Sequence, residues 1–135
     1  MRVLLFDNEA VQALINPHHR KHRRVLAHLE SHRQRRAKAP SRAIVPTTVR
    51  VEAGWNRTRP GSAAINRLRI TDAELDSKTT DTATEIRAET GISVVDAHLG
   101  ATARSLTTND LIILTSDPHD MTQATGNKPA TIITI

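Results

Sequence analysis

The chain has 135 residues, 38% of them hydrophobic, with 19 Lys and Arg against 14 Asp and Glu, a formal net charge of +5 and no Cys. That length suits a single domain, 1–135, and the missing Cys excludes disulfide frameworks, zinc–thiolate sites and thiol nucleophiles. One Phe, one Trp and no Tyr exclude base-stacking sheets, and no apolar run approaches the ~20 residues of a membrane helix.

Residues 2–6 (RVLLF) form a nearly continuous apolar run, the pattern of a fully buried strand. Closed by Asp7, the run is too short for a secretory leader, and a cytoplasmic protein with no membrane partner is expected. Residues 9–15 carry Val11, Leu14 and Ile15 at helical spacing until Asn16 and Pro17 stop them. Residues 20–38 read as a long basic helix with Val25, Leu26 and Leu29 facing inward, ended by Pro40. A short strand follows at 43–45, cut off by Pro46, and then a helix capped by Thr47 or Thr48 that carries Val49, Glu52 and Ala53. Residues 56–62 (NRTRPGS) are a turn-rich loop. Thr71 and Glu74 have capping-box spacing, which predicts a helix from there to Thr90 with Gly91 as its stop. A third strand is expected at 92–95, a small-residue helix at 97–105, a fourth strand at 111–115 and a last strand at 131–135. Strands alternating with helices predict an α/β fold with a mostly parallel central sheet.

The charge is uneven. Residues 18–42 hold nine basic residues against Glu30 alone, a net +8, leaving ten basic against thirteen acidic elsewhere, a net −3. Such an arm is either a solvated helix face or a footprint for a polyanion. Its His pairs at i,i+4 have metal-ligand spacing, but the surrounding cations would repel an ion.

The acids are the second anomaly. Three apolar runs end alike, in VLLF-Asp7, ISVV-Asp96 and LIILTS-Asp117, and the carboxyl ends of parallel strands share one edge, where ligands bind. Glu52, one helical turn past Val49, and Asp120 are placed to join them. Each Asp alone reads as a helix cap. Together they repel, by about 4 kcal/mol for a pair ~4 Å apart at an effective dielectric of 20, and a hard divalent cation relieves that repulsion. Oxygen-only donors favour Mg²⁺ or Mn²⁺, and a metal among carboxylates suits phosphodiester hydrolysis.

Asp7 after the first strand, Glu52 in VEAGW, Asp96 in VVDAHLGATA, and Asp117 and Asp120 in TSDPHDM resemble PIN-domain ribonucleases, and the size resembles the VapC toxins of bacterial toxin–antitoxin pairs. The resemblance spans essentially the whole chain. It implies a PIN-like αβα sandwich and a Mg²⁺- or Mn²⁺-dependent endoribonuclease acting on structured RNA such as tRNA or rRNA. It also implies a homodimer and a cognate antitoxin protein laid across the site. Carried over by position, Asp7, Glu52, Asp96 and Asp117 are the catalytic, metal-binding carboxylates, with Asp120 auxiliary and Thr115 the supporting hydroxyl. Arg20, Lys21, Arg23 and Arg24 of the basic arm are candidate RNA contacts. Arg50 is another, with a surface ion pair as its alternative. Two positions depart from the pattern: Glu9, read as a helix-start carboxylate, and Met121, read as a core substitution. His119 is expected on an exposed loop, His98 in a structural role and Trp55 as a core or interface anchor. The competing reading is a non-catalytic nucleic-acid-binding module whose acids only cap helices. A phosphoacceptor receiver domain, which also gathers Asp at strand ends, is the third.

Overall fold

The computed structural model describes residues 1–34 and 40–135. Five strands, β1 (Arg2–Phe6), β2 (Ser41–Pro46), β3 (Thr71–Ala73), β4 (Asp110–Thr115) and β5 (Thr131–Thr134), form one sheet in the order β3-β2-β1-β4-β5, every pair parallel. The helices are α1 (Asn8–Ile15), α2 (His22–Gln34), α3 (Thr47–Ala53), α4 (Ala63–Asn66), α5 (Ser77–Thr90), α6 (Val94–Ser105) and α7 (Pro118–Thr125). No described helix is long and apolar enough to cross a membrane.

β1 is central, and its side chains alternate between two cores. Leu4 and Phe6 pack with Val11 and Leu14 of α1 and with Val25 and Leu29 of α2; Val3 and Leu5 pack with Leu99 of α6 and Met121 of α7. The result is an αβα sandwich, in which each fully buried Leu, Ile or Phe contributes about 1.5–3 kcal/mol. Val25 and Leu29 are buried and Leu26 packs against them, so the apolar stripe of the basic helix belongs to the domain's own core. The stretch 35–39 predicted to continue that helix lies outside the described residues.

From β1 the chain steps outward to β2 and β3, then crosses back to place β4 and β5 on the other side of β1. The order therefore reverses between β1 and β4, the switch point where open α/β sheets form a ligand crevice. Receiver domains instead follow the order 2-1-3-4-5, so that reading falls.

Several expectations are corrected. Thr71 opens β3, an edge strand paired with β2, while α5 begins at Ser77, capped by Asp76, whose carboxylate accepts from Thr79 N at 2.8 Å. A short exposed strand carries little local signal, whereas Asp76 supplies a real cap. The end of α5 is as expected: Gly91 takes φ 74° and donates to Arg87 O. Residues 92–95 form no strand. Ser93 caps α6, its Oγ accepting from Asp96 N at 3.1 Å, so Asp96 lies in the first turn of a helix and not at a strand end. Neither Thr47 nor Thr48 caps α3; Pro46, the last residue of β2, holds that position. α7, not anticipated, starts at a Pro behind the capping carboxylate of Asp117, and exposed His119 lies in its first turn.

Candidate functional site

The crevice at the switch point is built from the ends of β1 and β4. Asp7, 7% exposed, caps α1 by accepting from Ala10 N at 3.1 Å. Its other oxygen accepts from Ser116 N at 3.2 Å and from the hydroxyl of Thr115, the buried last residue of β4. The hydroxyl oxygen of Thr115 in turn accepts from Asp117 N at 2.9 Å, and Asp117 Oδ1 accepts from Asp120 N at 3.1 Å. One chain of hydrogen bonds thus links Asp7, Thr115, Asp117 and Asp120 across the two central strands. Burial pushes the Asp7 carboxyl above its ordinary pKa, against the pull of its three donors.

α6 brings Asp96 to the same edge. Its pKa is pushed up to about 6, chiefly by burial and next by the charges of Asp120, Asp7 and Glu52, while Ser93 opposes the rise. Partial burial raises Asp120 as well, followed by its hydrogen bond to and charge repulsion from Asp117. Glu52, exposed on α3, joins at Coulombic range.

α6 and α7 can meet closely because Gly100 has no side chain. A Cβ there would lie 2.5 Å from Ala124 O and 2.9 Å from Ala124 C, both backbone atoms of α7. The small residues of VVDAHLGATA therefore set the distance between the helices that carry Asp96 and Asp120.

The donor set is all oxygen and its members repel one another, the chemistry that a hard divalent cation fits. The carboxylates approach in pairs and at Coulombic range rather than as a closed shell: among the described residues, no three His, Asp or Glu side chains are gathered tightly enough to hold an ion as they stand. Glu9 pairs with His19 at 3.0 Å and Lys21 at 3.8 Å, and its charge adds to the rise at Asp7.

The basic candidates separate. Arg20, Lys21 and Arg24 line a pocket of about 240 Å³ with Ile135, whose backbone N donates to Thr115 O at 2.9 Å, so this pocket adjoins the acids. Arg23 is exposed and does not line it. Arg50 is engaged elsewhere, donating to Asp72 at 2.8 Å and to Trp55 O at 3.3 Å, the ion pair given as its alternative. Trp55 is a core anchor, 2% exposed, its Nε1 donating to Asn66. Buried His98 bonds Thr48 of α3 at 2.7 Å, and burial lowers its pKa. Ser93 and Ser116 act on the acids without having been singled out. Ser93 had a signal in the Ser-x-x-Asp spacing of a helix start; the backbone N of Ser116 had none.

The fold is that of a PIN-like α/β domain. Among the solved structures it resembles is that of VapBC2 from Rickettsia felis bound to a DNA fragment from their promoter, with a TM-score of 0.59 over 97% of this chain and 98% of that chain. At 12% identity the likeness is one of fold. No protein-family model and no curated protein sequence matches the chain.

Proposed function

We propose that the chain is a divalent-metal-dependent endoribonuclease of the VapC toxin type, hydrolysing phosphodiester bonds of structured RNA such as tRNA or rRNA. The observation that carries this reading is the chain of hydrogen bonds that ties Asp7, Thr115, Asp117 and Asp120 together at the switch point, with Asp96 brought to the same edge on α6. Separate helix caps need no such linkage, and the non-catalytic reading leaves it unexplained.

Asp7, Asp96, Glu52 and Asp117 would hold Mg²⁺ or Mn²⁺, with Asp120 assisting. When bound, the ion supplies positive charge at the scissile phosphoryl group and eases deprotonation of the attacking water. Thr115 and Ser116 keep Asp7 oriented, and Ser93 fixes the turn that presents Asp96. Arg20, Lys21 and Arg24 offer a neighbouring seat for backbone phosphate; Arg23 extends the basic surface. Arg50 serves mainly to hold β3 through Asp72.

The proposed partner besides RNA is an antitoxin protein, as in the VapBC2 complex, in the cytoplasm. Support comes from the likeness in fold to the VapBC2 structure. A homodimer is part of the same proposal and is tested by sedimentation.

The decisive experiment incubates the purified chain with tRNA and rRNA in Mg²⁺ or Mn²⁺. Cleavage is expected, abolished by EDTA, and lowered roughly 10²–10⁴-fold by Asp96→Asn with the fold intact. An Asp96→Asn protein that cuts as fast as wild type would sink the assignment.

A further inference from the structure

At the end of the sheet away from the acids, the strands begin in a second basic pocket. Arg33 in the last turn of α2, Ser41, Arg42 and Ala43 of β2, and Arg69 and Thr71 line about 230 Å³. No carboxylate lines it. Arg42 and Arg69 each stand two residues before the paired rung Ile44–Thr71, so two like charges are neighbours across adjoining segments, an unfavourable pairing.

Two features at this pocket cost free energy and have no return inside the protein, and its charge is available to a ligand. Arg42 and Arg69 are exposed, with no side-chain hydrogen bond or ion pair among the described residues, so their guanidinium donors face solvent. The first costly feature is Ser41, whose hydroxyl is buried without a hydrogen-bond partner among the described residues, an unfavourable state for a polar group. The second is the backbone of Arg69: at φ 55° it is the only non-glycine with positive φ among the described residues. Strain of that kind concentrates where a ligand is clamped.

We infer that this pocket is a phosphate-binding site, separate from the acidic crevice. Guanidinium forks donate in pairs to the oxygens of phosphate or carboxylate groups, and two of them at one pocket favour the more highly charged phosphate. Rotation of Ser41 about χ1 supplies a neutral donor. The pocket is smaller than the ~300–1,000 Å³ of sites for drug-sized ligands, which fits one phosphate group rather than a whole nucleotide. The site stands whether or not the chain is a nuclease, and the phosphate belongs either to a free monoester or to a nucleic-acid backbone.

The test is isothermal titration of inorganic phosphate into the full chain in EDTA, against chloride at matched ionic strength. An Arg20→Gln/Arg24→Gln background removes the pocket beside the acids. Saturable binding is expected there, weakened at least about tenfold by adding Arg42→Gln/Arg69→Gln. Arg69→Gly serves as the second variant: it relieves the positive φ, so it should melt no lower than its parent while still losing phosphate affinity. Unaltered phosphate affinity in these variants, or no saturable binding in the background protein, overturns the site. A single-stranded RNA without terminal phosphates then identifies the source. If the backbone occupies the pocket, Arg42→Gln/Arg69→Gln makes the slope of log K against log salt shallower by about 0.7 for each phosphate lost. An unchanged slope alongside lost phosphate binding assigns the pocket to a free ester.

Discussion

Asp96 shows how one carboxyl records its surroundings. Its folded pKa is raised to about 6 from the ordinary 3.8, so the folded, metal-free protein holds this proton more tightly than the unfolded chain does. The sign follows: as pH rises from about 4 to about 6, the folded state loses stability on account of Asp96. Asp96→Asn should therefore be the more stable protein at pH 7 in EDTA, by about 1 kcal/mol after allowing for the water that screens a half-exposed carboxyl. That advantage should fade toward pH 4, as read by denaturant midpoints at the two pH values. Thr115 acts in the opposite sense, since its buried hydroxyl donates to Asp7 and accepts from Asp117 N. Thr115→Val should cost about 1–3 kcal/mol by leaving those groups unsatisfied, and should lower any cleavage rate without shifting the sheet, visible by circular dichroism.

Among the elements, the contact of α6 with α7 matters most, because it rests on Gly100 facing the backbone of Ala124. Gly100→Ala must push the helices apart and should cost about 1–3 kcal/mol; a melting midpoint equal to wild type would remove the close approach from the argument. Asp76→Ala, by contrast, should lower the melting midpoint less, as a lost cap at an exposed helix start. The elements also show what was legible. RVLLF and LIILT were readable as strands because a fully buried strand is a continuous apolar run needing no partner to be recognised. TDA was not, since β3 is three residues long and Asp72 is pinned by Arg50 and Arg57 from elsewhere in the chain. ISVV imitated a strand through its β-branched residues, and the Ser93 cap overrode them. The acids were legible as a set expected at one edge, but Asp96 reaches that edge from the first turn of α6 and approaches Asp120 through the packing of two helices, which no local pattern encodes.

Across the whole molecule, like charge is sorted by place. Acids collect at the carboxyl ends of the central strands, with Arg20, Lys21 and Arg24 at their flank and Arg42 and Arg69 at the opposite end. Binding and chemistry should therefore separate: Asp96→Asn in EDTA is expected to retain salt-sensitive RNA binding, and gel shifts showing that this binding requires metal would contradict the division. The chain also carries its own reporter. Trp55 is the only Trp and there is no Tyr, and its ring is flanked by Arg57 at 4.2 Å and Arg50 at 5.3 Å from the centroid. Intrinsic fluorescence consequently watches a single corner, where α3 meets β3. Emission and circular dichroism should change at the same denaturant concentration if the domain unfolds as one unit. Earlier loss of the emission signal would mean that the helix carrying Glu52 comes loose while the sheet still stands.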